Sequence, residues 1–164
     1  MTRVYICSPY RAADGAQLDR NIEYAQALTK QAIEAGLAPI TPHLYMTQCL
    51  NEDKPEERAA GMAAGLTLLK SCDFVIAGIK YGISEGMSAE IRAARQRGIN
   101  VVNADKLHYY IRTHKEEQQA WDYAYTHACD FCEGKGQKNC PEYDCRIPLL
   151  KAYEYAEKQY STSG

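Results

Sequence analysis

The chain has 164 residues, of which 46% are hydrophobic and 24% charged, with a formal net charge of −2. That length fits one domain with a short appendage and allows a sizeable core. The small net charge argues against non-specific nucleic-acid binding, and no apolar run reaches the length of a membrane span.

Met1-Thr2-Arg3-Val4-Tyr5-Ile6-Cys7 enters a strand-like run directly, with no signal-peptide apolar region, so a cytoplasmic location is expected. The run Arg3–Cys7 reads as a first strand, ended by the loop Ser8-Pro9-Tyr10-Arg11. Apolar residues at Ile22, Ala25, Leu28, Ala32 and Ile33 predict a helix over 21–35, stopped by Gly36. A second strand is expected over 37–41, closed by Pro42-His43, and a polar loop over 51–57. Residues 57–70 are rich in alanine and leucine and read as helix. A third strand over 74–78, a helix over 84–97 stopped by Gly98, and a fourth strand over 99–102 follow. This alternation predicts an α/β fold, a doubly wound parallel sheet of Rossmann-like or flavodoxin-like type. Beyond residue 105 the texture changes. Residues 107–128 are tyrosine-rich and read as helix, and residues 148–160 as a final amphipathic helix. The expected division is an α/β domain over 1–105 and a helical, cysteine-rich tail over 106–164.

The junction after the third strand carries the most chemistry. Ser84-Glu85-Gly86-Met87 opens a helix, and Glu90 lies about two turns in. Ligands of parallel α/β sheets sit at such junctions, and a helix start holds anions through backbone N–H groups. A carboxylate just inside that helix can attack a group held there.

Seven cysteines are present, an odd number, and four of them crowd into Cys129, Cys132, Cys140 and Cys145. Cys7, Cys49 and Cys72 read as small core residues in a reducing compartment. The pattern Cys129-x-x-Cys132-x-Gly134-x-Gly136 resembles one half of the cysteine-rich zinc repeat of DnaJ-type chaperones. With Cys140 and Cys145 it suits one tetrahedral, structural zinc over 129–145; unliganded thiols or a disulfide are the alternatives. No cofactor is expected for catalysis. The chain has 13 tyrosines against 2 phenylalanines, and polar-tipped rings suit interfaces.

Four elements occur in order: Tyr5-Ile6-Cys7-Ser8-Pro9-Tyr10-Arg11, Pro42-His43, Cys72-Asp73, and Ser84-x-Gly86-Met87-x-x-Glu90. Together, over residues 1–105, they resemble the nucleoside 2-deoxyribosyltransferase-like superfamily, which includes deoxyribosyltransferases and nucleotide N-glycoside hydrolases. The resemblance implies N-glycosidic bond cleavage or 2-deoxyribosyl transfer on a (deoxy)nucleotide. Glu90 would then be the nucleophile at C1′, Tyr5 its hydrogen-bonding partner, and Asp73 an assistant at the base. The strand direction opposes that last role, because it sets Asp73 at the start of the third strand, away from the usual ligand edge.

Transferase members of the superfamily tend to carry a carboxylate where this chain has Ser84, and hydrolase members a serine. Ser84, with Gly86 and Met87, therefore implies a 5′-phosphate site, and Ser84 also reads as a helix N-cap. Arg11, Ser8 and His43 are further substrate-binding candidates. Arg11 also reads as a solvated loop residue, and a lone histidine at a strand end such as His43 is more often structural or solvent-facing. Pro9 and Glu85 depart from the hydrolase pattern. The alternative function is a non-catalytic nucleotide or nucleotide-signal binding protein, a sensor or sponge on the same fold. The implied partners are a nucleotide or nucleoside and further copies of this chain as a homodimer or larger homo-oligomer. Neither nucleic acid nor membrane is expected.

Overall fold

Val4, Tyr5, Ile6 and Cys7 are successive buried residues with no polar alternation. A strand buried on both faces belongs in the middle of a parallel sheet covered by helices. The computed structural model, which describes residues 1–127, 131 and 146–161, has that arrangement. Strand β1 (Arg3–Cys7) lies between β2 (Ala38–Ile40) and β3 (Phe74–Ala77), and β4 (Asn100–Asn103) pairs with β3. The order is β2-β1-β3-β4 and every pairing is parallel, with Tyr5 opposite Ile40 and Val75, and Val75 opposite Val101.

Side chains alternate between faces along a strand. Tyr5, Cys7 and Val75 share one core cluster with Leu69, Cys72, Met87 and Ala94. Those four come from helix α2 (Pro55–Leu69), the turn after it, and helix α3 (Glu85–Gln96). Helix α1 (Gly15–Glu34) packs on β1 and β2 through its buried stripe of Asn21, Ala25, Leu28 and Ala32. Helices thus flank a four-stranded parallel sheet, the α/β class expected.

Helix α1 begins six residues before the apolar spacing predicts. Its first turns are polar, and what starts it is a cap: the Asp14 side chain accepts from the Gln17 N–H at 2.8 Å. Helix α2 also starts early, because Pro55 occupies its first position, where a missing N–H costs no helical bond. Gly36 and Gly98, at φ 79° and 70°, end α1 and α3 in the left-handed conformation that side-chain-bearing residues avoid.

The chain forms two compact units, Met1–His108 and Tyr109–Gly164. The first holds the whole sheet. The second holds most of α4 (Leu107–His127) and all of α5 (Arg146–Ser161). Ala120 and Ala124 of α4 and Ala152 and Ala156 of α5 are buried, and the Tyr123 and Tyr155 rings lie 5.9 Å apart. Cys129, Cys132, Cys140 and Cys145 lie outside the described residues, and so does the zinc expected there. Among the described residues no helix is long and apolar enough to cross a membrane.

Candidate active site

At the carboxyl ends of β1 and β3 the chain turns into the loops that open a cleft of about 280 Å³. One wall is the start of α3. Ser84 has extended backbone, and its Oγ accepts from the Met87 N–H at 3.3 Å, so it is the N-cap. Met87 is buried and pins this turn to the core. The helix therefore presents its positive end, with Ser84 and Gly86, to the cleft. A Cβ added at Gly86 would come within 4 Å of only one group, Ser84 Oγ at 3.9 Å. Protein packing does not require a glycine there, but its absent side chain leaves room beside the N–H groups.

The floor is a half-buried carboxylate. Glu90, one turn beyond Met87, meets Tyr5 from β1, whose hydroxyl donates to Glu90 Oε1 at 2.6 Å. Burial pushes the Glu90 carboxyl above the usual range, while the hydrogen bond from Tyr5 pulls it back. Burial first, and then the adjacent Glu90 charge, push the Tyr5 hydroxyl well above its ordinary range. It is a fixed donor. This contact needs a gap in α2, and Gly65 supplies it: a Cβ there would lie 3.0 Å from Tyr5 Oη and 3.9 Å from Glu90 Oε1.

The far wall comes from the loop after β1 and the turn after β2. Ser8 Oγ and His43 Nε2 are 2.9 Å apart, and burial lowers His43 to about 4, so the ring is neutral at ordinary pH. Asn21 braces the loop from α1, its Nδ2 donating to the Tyr10 carbonyl at 3.2 Å and to the Arg11 carbonyl at 3.4 Å. Arg11 lines the cleft and donates at 3.5 Å to the Glu52 carbonyl on the facing loop.

Of the residues selected from the sequence, Tyr5, Ser8, Arg11, His43, Ser84, Gly86, Met87 and Glu90 line this one cleft. Asp73 does not. It precedes β3 at the opposite edge of the sheet, where its carboxylate accepts from the Arg3 N–H at 2.7 Å. A strand of four residues spans about 13 Å, which separates that edge from the cleft. Sequence reasoning missed Cys7 as a neighbour of Met87, Gly65 as the gap, and Arg58 and Glu52 at the cleft. Cys7 alone had a local signal, since it stands two residues after Tyr5 and so shares its face. The others reach the cleft through the placement of α2 and the loop before it.

The family model described as "Domain of unknown function (DUF7768)" matches residues 2–104, the stretch that holds all four strands and the cleft. No curated protein matches the chain. Among solved structures, a 2-deoxyribosyltransferase from Bacillus psychrosaccharolyticus is similar, at 18% identity and a TM-score of 0.48. The similarity covers 62% of this chain and 71% of that one.

Proposed function

The chain belongs to the family of the Domain of unknown function DUF7768, and we propose that its cleft cleaves the N-glycosidic bond of a nucleotide or transfers its 2-deoxyribosyl group. The observation that carries this reading is the part-buried Tyr5–Glu90 pair at 2.6 Å, facing a cleft whose wall is a helix N-terminus. The order of motifs shared with the nucleoside 2-deoxyribosyltransferase-like superfamily supports it.

In this reading the 5′-phosphate lies against the start of α3, held by Ser84 and the N–H groups around Gly86. Gly86 and Glu90 are about one helical turn apart on α3 and Ser84 and Glu90 nearly two, so the phosphate and the attacking carboxylate lie along one side of the same helix start. Glu90 attacks C1′ with an oxygen lone pair, the C1′–N bond breaks, and its electrons leave with the base. Water, or a second base, then takes the sugar from Glu90. Tyr5 holds the carboxylate in place and does not change protonation. The neutral Ser8–His43 pair and Arg11 bind the remainder of the nucleotide. Asp73 has no part at the base, because its carboxylate engages Arg3 at the other edge of the sheet.

Glu90→Gln keeps the shape and removes the anion. It should lower base release at least ~10³-fold while nucleotide binding persists, the pattern of a group needed for the chemical step. Chromatography of free base and calorimetry of binding measure the two separately. Wild-type protein that binds nucleotides but releases no base from any common nucleotide or deoxynucleotide would leave the sensor-or-sponge reading in place of the enzyme.

A further inference from the structure

Arg58 lines the cleft, and the chemistry proposed above gives it no part. It stands at the end of the first turn of α2 and is half-buried. Among the described residues its guanidinium forms no ion pair and no hydrogen bond, so all five of its N–H donors are on offer. Helices α2 and α3 both run back from the carboxyl edge of the parallel sheet, so they start at the same edge, and they pack together. They are level with each other near Gly65 and Glu90, since a Cβ on Gly65 would lie 3.9 Å from Glu90 Oε1. From that level Arg58 is seven residues back along α2 (65 − 58) and Ser84 six residues back along α3 (90 − 84). Those steps are rises of about 10 Å and about 9 Å. Arg58 thus stands across the mouth of the cleft from Ser84, at nearly the same height. Gly61 and Gly65, on the same face of α2 and lining the same cleft, withhold side chains between Arg58 and the Tyr5–Glu90 pair.

We propose that Arg58 is a specificity-determining residue, which reaches across the mouth to the 5′-phosphate at the start of α3 and selects a nucleotide over a nucleoside. The inference rests on the nucleotide reading above and adds a full positive charge to it. The Ser84 hydroxyl and the N–H groups around Gly86 bring only partial charges. Glu85, the first residue of α3, brings a negative charge to the same cleft. A phosphate beside Glu85 is repelled unless a cation stands close by. Arg58 is placed to be that cation. Arg11, the other arginine at the cleft, is exposed and already donates to the Glu52 carbonyl. A planar guanidinium takes two phosphate oxygens at once, which fixes the orientation of the phosphate and of the sugar joined to it.

Binding reads this contact without turnover. Calorimetry of the full chain is carried out with the common nucleoside 5′-monophosphates and with the corresponding free nucleosides. Arg58→Gln should weaken monophosphate binding about tenfold or more and leave nucleoside binding within about twofold of wild type. Arg58→Lys keeps the charge and loses the fork, so it should recover only part of the loss. Added salt should weaken monophosphate binding by the wild type, and by Arg58→Gln less steeply. Thermal melting of both variants should match the wild type, because Arg58 has no partner in the fold to lose.

Equal losses for monophosphate and nucleoside in Arg58→Gln overturn the proposal, because they make Arg58 a packing residue. Monophosphate binding by Arg58→Gln at wild-type strength also overturns it, since the phosphate then lies beyond the guanidinium. So does a wild type that binds no monophosphate more tightly than its nucleoside. Failure of the glycosidic reading has a different signature: the wild type releases no base, while its preference for monophosphates and the dependence of that preference on Arg58 persist. Where base is released, Arg58→Gln should raise KM for the monophosphate about tenfold and leave that for the nucleoside unchanged.

Discussion

His43 has exchanged water for the company of Ser8, and its neutral form is the one that fits. Its folded pKa is about 4 against an ordinary 6.5, lowered by burial. Between these values the unfolded chain binds the extra proton and the folded chain does not. Stability should therefore fall as pH drops from about 6.5 to about 4 and level off below that, by roughly 3 kcal/mol in total. Replacing His43 with Asn should flatten this stretch of the curve, which denaturant titrations at stepped pH will measure. Glu90 has the opposite sign. Its folded pKa is raised, mainly by burial, so its ionised form costs stability once pH rises past the unfolded value. Glu90→Gln should stabilise the fold at neutral pH and lose that advantage in acid. A residue that lowers the stability of its own fold is expected where function selects the charge. Tyr5→Phe removes the 2.6 Å donor and should raise Glu90 further, lowering base release about tenfold to a hundredfold and shifting its acid limb upward.

Two helices meet at the cleft, and each contributes through its backbone as much as through its side chains. The start of α3 depends on Ser84, whose Oγ caps Met87. Aspartate is as good a cap as serine, so Ser84→Asp should leave the helix intact. The added charge faces the proposed phosphate, however. Binding of a nucleoside 5′-monophosphate should weaken at least ~10-fold more than binding of the free nucleoside, because only the phosphate is repelled. Equal losses for the two ligands, read by calorimetry, would move the phosphate elsewhere. Helix α2 contributes an absence. Alanine is a better helix former than glycine by about 1 kcal/mol, so Gly65→Ala should not unfold the chain. Its Cβ would stand 3.0 Å from Tyr5 Oη, close enough to push the hydroxyl by a few tenths of an ångström. Base release should then fall about tenfold at an unchanged or higher melting temperature. That combination distinguishes a disturbed Tyr5–Glu90 pair from a general packing defect.

At the scale of the molecule, parallel strands align their carboxyl ends, and the connections leaving those ends crowd together. The loop after β1, the turn after β2 and the start of α3 become neighbours for that reason, although 76 positions separate Ser8 from Ser84 in the chain (84 − 8). The second compact unit, Tyr109–Gly164, adds two helices and the segment with four clustered cysteines. That segment has few apolar residues and carries Gly134, Gly136 and Pro141, so burial alone is a weak means of ordering it. One zinc per chain, bound by Cys129, Cys132, Cys140 and Cys145, is the proposal that follows. Elemental analysis of protein purified without chelator checks it. Negligible zinc, with all four thiols reacting freely in the folded protein, would end it.

The class of the fold was legible in the sequence because its signals are local. Apolar runs such as Val4–Cys7, the helical spacing from Ile22 to Ile33 and the glycine stops at Gly36 and Gly98 act within one or two turns of chain. Period and punctuation report on neighbours of that kind. The early starts of α1 and α2 were less legible, since Asp14 and Pro55 act through a cap and a first position that apolar spacing does not record. Glu90, Ser84 and Gly86 stood out through a strand-to-helix junction that is itself local. At Asp73 two local signals conflicted, and strand direction, already readable in the sequence, was the better guide. Its place in a motif suggested the site, and strand direction carried it to the far edge. The meeting of Tyr5 with Glu90 across 85 positions, the pairing of Ser8 with His43, and the gap at Gly65 depend on how helices pack over the sheet. Those contacts exist only once the tertiary structure closes, because no period along the chain encodes which residue will face which across a core.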